Sequence, residues 1–173
     1  KIMEVYTPAL LTKNIQLPIN VIGRELKQTI ERKLKMTLEG KCIAEGYVKP
    51  QSIRVLTYSS GKITDGNKIN FEAAFECDIC LPVEGMLIEA VAKNVTKAGI
   101  RAEIYKDQSV DSPVVIFIAR DHHYNMEYFS TIKENDPIKV RVIGIRYELN
   151  DKYISVIAEV IEPKKNKQIK KPK

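Results

Sequence analysis

The hydrophobic period changes once along this chain, and that change limits the possible folds more than any other feature of the sequence. Between residues 20 and 39 apolar side chains recur every fourth residue, at Ile22, Leu26, Ile30, Leu34 and Leu38, with Arg24, Lys27, Gln28, Glu31 and Arg32 between them. That spacing lays one apolar stripe along an α-helix. Asn20 is placed to cap its start and Gly40 to follow its end, which predicts about five turns. After Gly40 the period falls to two, the signature of strands with one buried face. One long helix followed almost entirely by strands predicts an α+β unit and then an all-β unit.

The strand VYTPALLTKNIQL precedes the helix and ends at Pro18. KCIAEGYV, SIRVLTYS and INFEAAFECDI follow it, separated by turn material at Lys49-Pro50-Gln51 and across residues 60–67. A helix laid on a small antiparallel sheet is a complete two-layer core, expected to close near Leu81-Pro82 and to make residues 1–82 a first domain. Residues 83–163 restart with GMLIEAVAKNV, IRAEIY and PVVIFIA, then the irregular ARDHHYNMEYFSTIKEN with one helical turn. IKVRVIGIRYEL and KYISVIAEVI close the series, paired across Asn150-Asp151. Five strands with a longer connection between the third and fourth predict a five-stranded Greek-key barrel of the OB type. Ile138, Val140 and Val142 face one way and Lys139 and Arg141 the other, while Ile143 and Ile145 change parity, so a bulge is predicted at Gly144. Phe117, inside an apolar run, is expected in the core.

Hydrophobic residues make up 44% of the chain and charged residues 29%, ordinary values for a folded soluble protein. The net charge of +6 comes entirely from residues 164–173, KKNKQIKKPK, a tail expected to be disordered and able to attract phosphate. The rest of the chain is neutral, with +3 in residues 1–80 and −3 in residues 81–163. No apolar run is long enough to span a bilayer and the start has no signal-peptide core, so the expectation is a soluble intracellular protein. Three cysteines without an export signal argue against a disulfide framework. Cys77 and Cys80 form a CxxC, but on a strand residues three apart point to opposite faces, so buried reduced thiols are expected there and at Cys42. No HExxH, GxSxG or P-loop pattern occurs, and neither a catalytic group nor a cofactor nor a metal is predicted.

The ordered series of marks resembles a known family. A strand and helix lead into Leu38-Glu39-Gly40-Lys41-Cys42, then GYV, a stretch from Gly61 to Gly66, the strand around Phe71 to Phe75, and the link Pro82-Val83-Glu84-Gly85. This resembles subunit seven of eukaryotic RNA polymerase II and its archaeal E-type counterpart, over residues 3–162, with wording closer to versions carried by large DNA viruses. The resemblance implies a tip domain that docks on the polymerase core and an S1 barrel projecting toward nascent RNA. It also implies a second stalk subunit as partner, of the subunit four or archaeal F type, and a place in nucleus, cytoplasm or virion.

S1 barrels stack bases on exposed aromatics while cations follow the backbone. Many carry an aromatic after the first hairpin glycine, where this chain has Ile100 after Gly99. Tyr105, Tyr124, Tyr128, Phe129 and Tyr147 are the candidate replacements. The predicted RNA-binding set is Lys93, Lys97, Arg101, Tyr105, Arg120, His122, His123, Lys139 and Arg141, with both histidines read as surface groups. Lys41, Tyr47, Gly61, Lys62 and Gly66 lie on segments that resemble the polymerase-facing loops, the two glycines also being explained by positive-φ turns. A free-standing S1/OB RNA-binding protein of translation or RNA decay is the alternative reading of the same barrel.

Overall fold

The structure is a computed structural model that describes residues 5–105, 107 and 109–164. The Lys-rich tail lies, from residue 165 onward, outside the described residues.

The first half is a curved antiparallel sheet built on one long strand. β1 (Tyr6–Pro18) pairs along its full length with β6 (Lys68–Cys80), from Tyr6 opposite Cys80 to Pro18 opposite Lys68, without a register shift. The other side of β6 is shared by β3 (Gly46–Val48), β4 (Arg54–Tyr58) and β5 (Lys62–Ile63), and β2 (Cys42–Ile43) pairs β3. KCIAEGYV is therefore a hairpin of two short strands rather than one strand, and β5 falls in what the sequence presents as turn. The helix α1 (Leu26–Leu38) lies against β4 and β1, and its Ile30 and Leu34 join Phe71, Ala73, Phe75 and Cys77 of β6 in one buried core. One carboxylate of the helix and one at its C-cap hold β4 and the residue before it. Glu31 Oε2 accepts the Val55 N–H at 3.1 Å, and Glu39 Oε1 accepts the Ile53 N–H at 3.2 Å.

The helix is shorter than its apolar period suggests. Residues Ile19–Val21 form a 3-10 turn after Pro18, Ile22 is extended, and Glu25 occupies the N-cap position, so Asn20 caps nothing. Gly23 explains the delay, since glycine costs roughly 1 kcal/mol in a helix. At the other end Gly40 takes φ +70 just past the C-cap Glu39, as expected of a helix-ending glycine.

The second half is a closed barrel in the order β10-β11-β9-β8-β7, with β7 (Leu87–Val95), β8 (Gly99–Glu103), β9 (Val114–Ala119), β10 (Pro137–Arg146) and β11 (Ile154–Val160). β11 runs parallel to β9 and antiparallel to β10, which is the OB arrangement. Between β9 and β10 lie a 3-10 turn at Arg120–His123 and the short helix α2 (Glu127–Thr131). The bulge on β10 falls between Val142 and Gly144, but it does not return Ile145 to the core; Ile143 and Ile145 are both exposed. The β10–β11 connection is a loop across residues 147–153 rather than a two-residue hairpin, with Asn150 at φ +69.

The two halves share a core where they meet. Cys42, Tyr47 and Cys80 of the N-terminal sheet belong to the same buried cluster as the barrel interior. The Cys42 N–H donates to the Asp151 carbonyl at 2.8 Å, the Asn150 N–H donates to the Cys42 carbonyl at 2.9 Å, and the Tyr147 hydroxyl donates to the Ala44 carbonyl at 2.9 Å. Gly46, at φ +131, lets the β2–β3 turn press against β6: a Cβ there would lie 2.6 Å from the Cys80 carbonyl oxygen. Cys77 and Cys80 sit in the two different cores, as strand parity requires. Burial pushes their thiols up to about 11 and about 12, well inside the protonated form at neutral pH.

Candidate functional site

The outer face of β7, β8 and β9 carries several of the candidate site residues. Strand alternation buries Val114, Ile116 and Ile118 and turns Phe117 outward, 42% exposed. The expectation that Phe117 is core is therefore corrected: in a run apolar on both parities, barrel closure selects the inward face. Arg101 of β8 stands directly opposite Phe117, and Asn94 of β7 directly opposite Arg101. Beside them a groove of about 420 Å³ is lined by Lys93, Asn94, Arg101, Glu103, Glu134 and Asn135. On the far side of β7, Lys139 and Arg141 project from β10 beside a partly apolar cleft of about 670 Å³ that also includes Leu87, Tyr128 and Ile161.

Carboxylates accompany these cations. Arg101 Nη2 lies 3.3 Å from Glu103, Arg141 Nη1 lies 2.9 Å from Glu159, and Lys139 is opposite Glu89 in the ladder. All are exposed or half-exposed, so each pair can open to a phosphate at a cost of roughly 1 kcal/mol or less.

Three of the predicted RNA-binding residues make contacts within the fold. His123 is buried, 4% exposed, and stacks on Phe129 with ring centroids 4.9 Å apart. Its Nδ1 lies 2.6 Å from the Ala119 carbonyl, and its Nε2 accepts the Val160 N–H at 3.0 Å. Arg120 donates to the Lys97 carbonyl at 2.9 Å and the Thr96 carbonyl at 3.0 Å, and its guanidinium lies 5.1 Å from the Phe129 ring, so it ties β9 to the β7–β8 turn. Tyr105 sits at the junction between the halves, hydrogen-bonded to Tyr6, whose phenol is pushed up by burial and then by Tyr105 and Tyr47. Among the aromatic replacements Phe129 is core, Tyr147 is engaged at the junction, Tyr128 is half-buried, and only Tyr124 is fully open at 82%. Lys97 and His122 are exposed.

The predicted docking residues also separate. Tyr47, 1% exposed, is corrected from surface to core: it fills the junction and burial raises its phenol to about 12. Lys41 is half-buried beside it, while Lys62 and Gly66 lie at the opposite end of the sheet. Gly66 has φ +78, but Gly61 is required for space, since a Cβ there would meet Phe71 at 2.8 Å. That far end exposes apolar groups the sequence pattern does not single out: Ile19, Val21 and Ile63. Their signal was an isoleucine in turn material, too weak to stand out alone.

Among the described residues no cluster of three or more His, Cys, Asp or Glu is placed to hold a metal ion, and no helix is long and apolar enough to cross a membrane. No protein-family model matches the chain. Individual proteins do. DNA-directed RNA polymerase II subunit 7 of Arabidopsis thaliana is 30% identical over 153 residues, covering 80% of this chain and 83% of that protein. DNA-directed RNA polymerase II subunit RPB7 of Glycine max is 25% identical over 156 residues, covering 82% and 85%. An Acanthamoeba polyphaga mimivirus protein named for a DNA-directed RNA polymerase subunit is 26% identical over 169 residues, covering 89% and 80%. With an OB-type barrel joined to a helix-backed sheet and this extent of identity along nearly the whole chain, the protein belongs to the family of DNA-directed RNA polymerase II subunit 7.

Proposed function

We propose that the chain is the stalk subunit of a DNA-directed RNA polymerase, docking through the N-terminal domain (residues 1–82) and presenting the barrel (residues 83–163) to nascent RNA. The observation that carries the RNA contact is Phe117, an aromatic face left open on the outside of a closed OB barrel with Arg101 as its cross-strand neighbour. A base stacking on that ring would leave its phosphates within reach of Arg101, Lys93 and Lys97, the combination used for single strands without sequence preference. The docking end would be the exposed Ile19, Val21 and Ile63 with Lys62 and Gly66, since open apolar groups gathered at one end of a protein surface mark contacts. In this reading the subunit contributes binding and no catalytic group, takes a second stalk subunit as partner, and works wherever its polymerase transcribes.

The test has two arms. Tagged chain purified from its native source should bring the two largest polymerase subunits with it in near-equal amounts. Fluorescence anisotropy with a labelled single-stranded RNA should show binding that weakens with salt and weakens again on Phe117→Ala, by about 1–3 kcal/mol. Recovery of ribosomal proteins in place of polymerase would favour the free-standing RNA-binding reading.

A further inference from the structure

A cleft of about 670 Å³ opens on the outside of β7 and β10, bordered by α2 and by the residues that follow β11. The 147–153 loop is held against the N-terminal sheet at Cys42, whereas β10 starts at Pro137 and β11 ends at Val160. The strand ends beside the cleft are therefore the ones that point away from that sheet. β11 stands between β10 and β9, so the cleft is also apart from Phe117. Leu87, Pro137, Ile161 and Pro163 line it above the buried Ala90 and Ile138, and Leu87 stays 41% exposed. The Ile161 N–H donates to the Lys139 carbonyl at 2.8 Å, one step beyond the Val140–Val160 ladder pair, which carries the chain along the cleft from Ile161 to Lys164.

The charges of the lining nearly cancel. Lys139 faces Glu89 across the β7–β10 ladder and Arg141 lies 2.9 Å from Glu159, which leaves Glu162 and Lys164 at the mouth. The surplus comes from the sequence that follows, since residues 165–173 hold five lysines and no acidic residue. An apolar cleft thus opens where a strongly basic segment begins. A nucleic-acid strand suits the basic segment but not the cleft. Bases gain most by stacking on aromatic planes, and Tyr128, the one aromatic among the described residues that line it, is half-buried. Aliphatic and proline walls take the apolar side chains of a polypeptide instead. Glu89 and Glu162 repel phosphates but accept hydrogen bonds from peptide N–H groups.

We propose that this cleft binds a partner polypeptide through an apolar anchor, with flanking acidic residues paired to Lys164 and the lysines after it. Sequences that interleave acidic and large apolar residues have this chemistry. The anchor supplies the specificity of the contact, and the lysines raise the local concentration of an acidic chain and hold it once bound. The surface is separate from the Phe117 face and from the Ile63 end, and it depends on neither.

The experiment titrates the full chain into a fluorescein-labelled peptide that interleaves Asp with Leu and Phe, followed by anisotropy. Saturable binding is expected, and a peptide with Ser in place of every Leu and Phe should bind at least roughly tenfold more weakly. Leu87→Gln removes an exposed apolar wall without adding charge, so it should melt like the parent and weaken the peptide by roughly fivefold. Ending the chain at Lys164 should weaken it by a similar factor at low salt. That difference should vanish in about 1 M salt, where the screening length is about 3 Å. Equal binding of the two peptides overturns the proposal, since it leaves only charge attraction to the basic segment. Unchanged affinity in Leu87→Gln overturns it as well. A single-stranded RNA that displaces the peptide and itself weakens on Leu87→Gln would assign the cleft to RNA instead. Carbodiimide cross-linking of the peptide to the unaltered chain gives a check free of any variant: coupling at Lys139 or Lys164 is expected, and coupling only at lysines of the N-terminal sheet sinks the assignment.

Discussion

The Nε2 of His123 accepts the backbone N–H of Val160 at 3.0 Å, joining the 3-10 turn after the third barrel strand to the end of the last one. A backbone N–H can only donate and the Ala119 carbonyl, 2.6 Å from Nδ1, can only accept, so the ring is neutral with its proton on Nδ1. The pair ties the turn after β9 to β11 beyond the last β9–β11 ladder pair, Phe117 with Ile157.

Replacing His123 should therefore weaken the fold and leave RNA recognition alone. His123→Ala strands the Val160 N–H in the interior and removes the stack on Phe129, for a loss of about 2–4 kcal/mol. Urea unfolding of the purified variant measures it. An RNA affinity that dropped in the fully folded variant would mean the imidazole touches the ligand after all.

Phe117 should behave in the opposite way. Its ring is half-open, so Phe117→Ala is expected to cost about 1 kcal/mol of stability but to weaken single-stranded RNA binding by about 1–3 kcal/mol, the value of one stacked base. Arg101→Ala should lower the salt dependence of binding by about one counterion. Anisotropy titrations at several salt concentrations read both. An unchanged affinity in both variants would move the RNA contact off this face.

Gly46→Ala tests the junction between sheet and barrel. The residue combines φ +131 with a carbonyl oxygen 2.6 Å from where the new Cβ would stand. The expected loss is about 2–4 kcal/mol, from backbone strain and the displaced β2–β3 turn together. A thermal melt near that of the parent would show that the turn can swing away from β6 without penalty.

Stability should be level with pH up to about 9 and then fall. Burial holds Cys42 up to about 11, and Cys80 and Tyr47 up to about 12. These are acids kept neutral by folding, so the unfolded chain loses their protons first, and stability present below the ordinary thiol range is lost as pH climbs through the folded values. The urea midpoint measured from neutral to alkaline pH follows this, with a loss on the order of a few kcal/mol. Under native conditions near neutrality, Ellman's reagent should find the three thiols slow, and unfolding should release them; rapid native reaction would contradict their burial.

Much of the architecture was legible because it depends on neighbours close in sequence. The four-residue spacing from Ile22 to Leu38 marks a helix with one apolar side, and the alternation in IKVRVI marks a strand with one buried face, whatever those faces meet. The opposed directions of Cys77 and Cys80 follow from strand parity alone. The docking and RNA surfaces were less legible, since they depend on which groups remain open after the chain has closed on itself. PVVIFIA is apolar on both parities, so only the closing of β9 between β8 and β11 turned Phe117 out. Adjacent histidines in a loop look alike in sequence, yet the end of β11 took His123 into the interior and left His122 in solvent. Tyr47 looks like a surface residue of a short hairpin until the barrel packs against it. Local periodicity thus determined the elements and their apolar faces from the sequence by itself. Long-range pairing, which no short window of sequence encodes, decided which apolar faces were buried and which aromatic stayed exposed.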